Sequence, residues 1–257
     1  GKQIELLKSL QFPHSLGLLY SALTYFCGFR VNSGEYKLMG LAPYGKPVFR
    51  NQILEYLIDL KKDGSFAINM EYFNYCQGLT MTNHRFDKLF GGPPRKPEEK
   101  ITEREINLAS SIQAVTEEIV LKMAKFVREE TGKTNLCLSG GVALNCVANG
   151  KLQESKIFDN IWIQPASGDA GGALGAALFT NYQLLKRNRE VDKNDSMKGS
   201  YLGPKFDNHQ IVEFLEFVSA PYNFFSDEDD LLDEVCNLIN DGKIIGWFHG
   251  RMEFGPR

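Results

Sequence analysis

Residues 136–152 read LCLSGGVALNCVANGKL: a short apolar run, two consecutive glycines, then residues that resume a helical pattern. Glycine costs about 1 kcal/mol relative to alanine inside a helix, so Gly140 and Gly141 need a local reason. Two reasons are open: a tight packing turn, or a ligand pressed against the backbone. The turn is not a phosphate loop of the GxxxxGK[ST] kind, because it holds no lysine, and it is not the dinucleotide GxGxxG. What remains is a strand over residues 135–139, a turn without Cβ atoms, and a short helix to about residue 149. The free N–H groups and positive dipole end of that helix face back over the strand ends, a corner able to accept a nucleotide.

A second glycine cluster, SGDAGGALGAAL at residues 167–178, follows a strand expected at NIWIQPA, residues 160–166. Gly171, Gly172 and Gly175 fall in the first turns of a helix expected over residues 170–185, at a combined propensity cost of about 3 kcal/mol. Something must therefore approach that helix closely. Asp169 stands where an N-cap would be, and capping alone accounts for a carboxylate there. The other reading is a hard oxygen ligand for a cation that neutralises phosphate. Spacing by itself favours the cap.

Upstream of this pair, Thr102 and Glu105 form a capping-box pattern. Ile112, Val115, Ile119, Met123 and Phe126 then recur at steps of three and four, and Gly132 stops the helix. Residues 15–27 carry Leu16, Leu19, Leu23 and Phe26 at helical spacing, and residues 28–47 break into a glycine-rich loop. A helix is expected over residues 49–62, a turn at DGS, a strand over residues 66–75, and a loop or short linker at residues 90–100. Strands alternating with helices predict an α/β layer architecture. After the charged residues 186–200 the pattern restarts with helices over residues 208–218 and 227–239 and a strand at KIIGWFH, residues 243–249. The domain division read from this is 1–186, a linker 187–204, and 205–257.

Composition bounds the partners. The 257 residues are 43% hydrophobic and 24% charged with a net charge of -3, so no basic field favours nucleic acid or an anionic membrane. No apolar stretch approaches the ~20 residues that span a bilayer, and residues 1–15 lack a signal-peptide pattern. The five cysteines are odd in number, scattered and without a CxxC pair, which predicts reduced core residues in a cytoplasmic protein, Cys137 among them as a buried strand residue.

The motifs HSLGLLYSALTYFCGF, GEYKLMGLAPYG, LCLSGGVALNCVANGKL, PASGDAGGALGAAL and GWFHGRMEFGPR occur in this order from about residue 13 to residue 257. Together they resemble the O-carbamoyltransferases of the nodulation and antibiotic-tailoring type. The resemblance implies an actin/hexokinase-like (ASKHA) ATP-binding half-domain, similar to the tRNA threonylcarbamoyl-transferring enzymes. It is followed by the truncated start of a second α/β domain resembling threonylcarbamoyl-adenylate synthases. It also implies ATP and a divalent metal, iron or magnesium, as cofactors. Carbamoyl phosphate would be converted through carbamoyl-adenylate, and the carbamoyl group moved to a hydroxyl of a small-molecule acceptor. The tRNA-modifying relative and a non-catalytic nucleotide-binding module stay open as alternatives.

By the same resemblance Glu35, Lys37, Gly140, Gly141, Asn145, Gly168 and Gly172 match the nucleotide site and Asp169 the metal-binding aspartate. Lys37, Arg251 and Arg257 match catalytic positions. Read from the residues alone, Glu35 and Lys37 are also a solvated charge pair, and Arg251 and Arg257 around Glu253 also a surface ion-pair cluster. His14 reads as a polar residue before a helix and His249 as a packed strand end. Two departures stand out: His14, His84, His209 and His249 form no HxxxH pair, and the family pattern continues past EFGPR. The expectation is an internal fragment, inactive by itself.

Overall fold

The computed structural model describes residues 4–190 and 194–255. The chain divides into two units, Gly1–Arg189 and Glu190–Arg257. The first is mixed α/β, with its β structure confined to small sheets.

Its earliest helix, α1 (Leu16–Phe26), starts where Ser15 accepts a hydrogen bond from the Leu18 amide at 3.3 Å. Residues 28–47, expected as a loop, instead contain α2 (Glu35–Leu41), which continues into a 3-10 turn at Ala42–Tyr44. The reason is burial. Leu38, Met39 and Ala42 fall on one face and enter the core, and this outweighs the propensity cost of Gly40.

The helix expected over residues 49–62 is also shorter. The segment α3 (Arg50–Gln52) runs through a π turn at Ile53–Leu57, and Ile58–Leu60 then becomes strand β1. It pairs antiparallel with β2 (Phe66–Ile68) in the register Ile58↔Ile68, Asp59↔Ala67, Leu60↔Phe66. The turn between them is set locally, because Asp63 Oδ1 accepts from the Ser65 amide at 3.0 Å and its hydroxyl at 2.7 Å. His14 holds the same hairpin, its Nδ1 accepting from the Ile68 amide at 3.0 Å. Beyond Ile68 the expected strand gives way to a 3-10 turn at Met70–Tyr72.

After the short helix α4 (His84–Leu89), residues 90–100 form more than a linker. Arg95 is buried, and its guanidinium donates to the carbonyl oxygens of Cys27 at 2.8 Å, Lys96 at 3.1 Å, Pro97 at 3.1 Å and Glu99. This loop is thus tied to the end of α1. The long helix α5 (Glu103–Thr131) has the expected capping box and ends at Gly132 with φ +63. Its Leu108, Ala109, Ile112, Val115 and Ile119 are fully buried against α1, the hairpin and an aromatic cluster. In that cluster Phe86 lies 4.8 Å from both Phe26 and Phe90 and 5.7 Å from Phe73.

Strands β3 (Asn135–Leu138) and β4 (Asn160–Ile163) flank α6 (Cys146–Glu154). Leu136, Leu138 and Ile161 pack on a second, smaller core of Ala124, Leu152 and Phe158. The opposite face is exposed: Cys137, expected to be buried, points there because successive strand residues alternate. Only Cys27 of the five cysteines is buried, and burial pushes its thiol up to about 12. Helix α7 (Ala170–Phe179) continues as a π turn at Thr180–Leu184 and buries no residue. In the second unit, α8 (Asn208–Phe217) and α9 (Glu228–Asn240) form as expected but also bury none. Residues 243–249 form no strand, because no segment among the described residues supplies a ladder, and Ile244 stays fully exposed.

Two stability predictions follow from the first core. Phe86→Ala should lower the unfolding free energy by about 3–5 kcal/mol, read by denaturant titration, because it empties the centre of the aromatic cluster. The second concerns Glu105, whose carboxylate accepts from the Thr102 amide at 2.9 Å and hydroxyl at 2.5 Å and from Arg104 Nε at 2.7 Å. Burial pushes the Glu105 carboxyl up, but these hydrogen bonds outweigh it and hold it below the ordinary 4.5. The folded state therefore prefers the charged form more than the unfolded chain does. That contribution is complete above pH 4.5 and is lost as pH falls through the folded value. Glu105→Gln should cost on the order of 1–3 kcal/mol at pH 7, and the gap to wild type should close in acid.

Candidate functional site

Strands β3 and β4 run parallel in the register Asn135↔Asn160 to Leu138↔Ile163, so both turn at the same, carboxyl end. Ligands bind at this end of parallel sheets because the helix N-termini and turn amides converge there. After β3, Gly140 takes φ +97 and ψ 161, a conformation that side chains rarely adopt. Gly141–Leu144 then forms a 3-10 turn, and Asn145 caps α6 by accepting from the Ala148 amide at 3.0 Å. After β4, residues 166–169 turn into α7. The two turns are joined directly. The Gly140 amide donates to the Ser167 carbonyl oxygen at 2.7 Å, and Ser139 Oγ reaches the same oxygen at 3.5 Å.

The glycines separate into two groups. A Cβ at Gly171 would collide with the Ala166 carbonyl oxygen, so the chain needs that glycine for its own packing. Gly140, Gly141, Gly168 and Gly172 would meet nothing within 4 Å. Packing does not explain these four. Asp169 is exposed and already helical, at φ -59 and ψ -34, and its side chain makes no capping hydrogen bond. A cap needs an extended residue whose side chain can turn back on the helix, so the capping reading favoured by spacing is lost.

Glu35 and Lys37 lie on α2. Glu35 is no idle surface charge, because its Oε1 accepts from Ser21 Oγ at 2.7 Å and the Asn32 amide at 3.0 Å. Lys37 is exposed, with Nζ 6.0 Å from the Tyr36 ring centre. Helix α1 is the shared support: Ser21 holds Glu35, while a Cβ on Gly17, one turn earlier, would lie 3.6 Å from Val142 of the Gly-Gly turn. Cys146 Sγ and Met39 Sδ, 3.9 Å apart, bring the start of α6 against the later half of α2. Within the first unit, α1 thus touches both the helix that carries Glu35 and Lys37 and the Gly-Gly turn, which is itself bonded to the turn before α7.

Arg251 belongs to the second unit, where its guanidinium donates to the Gly203 carbonyl oxygen at 2.6 Å. Backbone pairing fixes that loop, since the Gly203 amide donates to Met252 at 2.8 Å and the Met252 amide to Pro204 at 3.0 Å. Arg257 lies outside the described residues. His249 is exposed, with Nε2 3.7 Å from Glu228 Oε1.

Sequence reasoning passed over Ser139 and Ser167. Ser167 is 3% exposed and its Oγ has no hydrogen-bond partner, an orphan hydroxyl beside the joined turns. Its signal was the serine standing before the glycine in both LSGG and ASGD. Among the described residues no three His, Cys, Asp or Glu side chains gather to hold a metal. Asp169 is an exposed carboxylate at the head of α7. No helix of the described residues is long and apolar enough to cross a membrane.

Comparison with known proteins places this geometry in a family. Residues 1–178 match the family model described as Carbamoyltransferase N-terminus. Over the whole chain, the sequence is 58% identical to an uncharacterised protein of Synechocystis sp., covering 42% of that protein. It is 34% identical to Nodulation protein NolO of Bradyrhizobium diazoefficiens, covering 44% of it. It is also 34% identical to Nodulation protein NolNO of Sinorhizobium fredii, covering 35%. The chain spans less than half the length of these relatives. With glycine turns joined at the ends of parallel strands and a family match across most of the first unit, the chain belongs to the carbamoyltransferase family.

Proposed function

We propose that the first unit is the ATP-binding, carbamoyl-transferring part of an ATP-dependent O-carbamoyltransferase with an actin/hexokinase-like fold. The observation that carries this reading is the open, Cβ-free surface of Gly140, Gly141, Gly168 and Gly172 on two turns joined by the Gly140–Ser167 hydrogen bond. A phosphate or ribose can approach such a backbone closely, and turn amides and the α7 N-terminus supply donors. The remaining N–H of Asn145 adds one more. Lys37 brings a cation on the neighbouring helix.

In the chemistry proposed for the whole protein, water cleaves carbamoyl phosphate to carbamate and inorganic phosphate, and a carbamate oxygen then attacks the α-phosphorus of ATP as pyrophosphate leaves. The acceptor hydroxyl then attacks the carbamoyl carbon, and AMP departs with the bonding electrons. Adenylate formation makes a good leaving group out of a poor one. The first unit's donors are proposed to hold the adenylate, with turn amides meeting the charge that builds on its phosphate. Arg251 and Arg257 are proposed to serve the carbamoyl phosphate step, since a guanidinium binds phosphate bidentately. A divalent cation, iron or magnesium, would take Asp169 as one ligand. The described donor set does not complete its shell, so no step is drawn through it. The acceptor is proposed to be a small molecule with a free hydroxyl.

Calorimetric titration of the chain with MgATP tests the reading. Saturable binding is expected, and its absence in the folded chain would sink it. Two substitutions sharpen the test. Gly172→Ala should leave the chain equally or more stable, by up to about 1 kcal/mol, yet weaken MgATP binding because a methyl group fills the space left for the ligand. Gly171→Ala should instead destabilise the turn. Asp169→Ala should keep the melting temperature nearly unchanged, as for a surface substitution within about 0.5 kcal/mol, while lowering affinity for MgATP more than for ATP without metal.

A further inference from the structure

Behind the Gly-Gly turn lies a chain of buried polar side chains that the site as described does not use. Asn145 and Gln113, at 9% and 5% exposure, meet as a reciprocal amide pair across the space between α6 and α5. Asn145 Nδ2 donates to Gln113 Oε1 at 3.0 Å, and Gln113 Nε2 donates to Asn145 Oδ1 at 3.1 Å. Gln113 has nothing left over. Its Oε1 also accepts from the Tyr20 hydroxyl at 3.0 Å, and its Nε2 also donates to Glu117 Oε1 at 3.0 Å. The other Glu117 oxygen accepts from the Lys151 ammonium.

The direction of every bond in this chain follows from its charged end. A carboxylate can only accept, so Glu117 requires the Nε2 side of Gln113 to face it. That turns Oε1 toward Asn145 Nδ2 and Tyr20. Asn145 Oδ1 then receives Gln113 Nε2 and the Ala148 amide. A flipped Asn145 would set donor against donor at both contacts. Of its four hydrogen-bonding positions three are taken, and one Nδ2 proton remains.

Resting on the reading of this turn as a nucleotide site, we infer that Gln113, oriented by the Glu117–Lys151 pair, is a positioning residue. It locks the Asn145 amide and the Gly140–Asn145 turn so that a single N–H donor is presented to an acceptor atom of the nucleotide. Lys151 is half exposed, with a side-chain exposure of 52% against 9% for Glu117, so the ordering group is anchored at the surface and reaches inward.

Three variants of the intact chain test this: Gln113→Leu, Gln113→Glu and Lys151→Met. The last changes an exposed side chain and keeps the core intact. Hydrogen exchange followed by mass spectrometry reads turn order at residues 139–149, with the β1–β2 hairpin as internal control, and MgATP titration reads the site. Gln113→Leu should raise exchange in the turn and weaken MgATP binding by roughly tenfold with the hairpin unchanged, and Lys151→Met should do the same to a smaller degree. Gln113→Glu sets a second carboxylate against Glu117, with Lys151 and the Tyr20 hydroxyl as the other facing groups. Its binding should fail at pH 8 and recover toward pH 6, where a shared proton restores the donor to Glu117, whereas wild type should show no such recovery. Equal exchange increases in turn and hairpin, or MgATP affinity unchanged in all three variants, would overturn the inference and leave a purely structural network. Failure of the wild-type chain to bind MgATP would instead remove the nucleotide reading, while the exchange data still decide whether Gln113 orders the turn.

Discussion

The structure depends on one helix being satisfied on two sides at once. Helix α5 runs for 29 residues, about 44 Å at 1.5 Å per residue, and serves both cores of the first unit. Its first half buries Leu108, Ile112, Val115 and Ile119 against α1 and the aromatic cluster, and its later turns carry Val120, Leu121 and Ala124 to the layer beneath β3 and β4. A rotation about its axis would expose both stripes together. The helix is thereby held in one orientation, and Gln113 and Glu117, spaced to share the face of Val120 and Ala124, are turned inward with it.

Those inward polar groups explain why the site is where it is. A buried amide or carboxylate without partners costs more than the hydrogen bond that it could make is worth, so Gln113 and Glu117 specify what must come opposite them. Asn145, Tyr20 and Lys151 meet that demand from α6 and α1. The turn that carries Gly140 and Gly141 is attached to the deepest part of the fold even though its glycines face solvent. Arg95 does the same for the loop before α5, where one guanidinium binds carbonyl oxygens from its own loop and from the end of α1.

Several elements of each unit bury little. Helix α7 is apolar and buries nothing, the Cys137 and Trp162 face of the parallel pair is open, and α8 and α9 bury no residue. A parallel sheet is normally covered on both faces. The relatives that this chain matches are more than twice its length.

The local elements were legible in the sequence by itself. The capping box at Thr102 and Glu105, the Gly132 stop, the helices around Leu23, Phe214 and Leu232, the strand segments before the two glycine turns and the turns themselves are encoded within a few residues of where they act. Capping, periodicity and glycine conformations are short-range physics. Tertiary structure decided the rest. The 58–60 segment left its helix for a hairpin because Phe66–Ile68 offered a ladder and a buried face. Residues 243–249, with an equally strand-like composition, found no ladder. Cys137 faced outward because the core settled on the other side of β3. The cap that spacing alone offered at Asp169 did not form because the backbone there was already helical, and Asn145 gained a partner thirty-two residues away in sequence. Each of these outcomes depends on which distant group lies opposite, and a one-dimensional pattern carries no record of that.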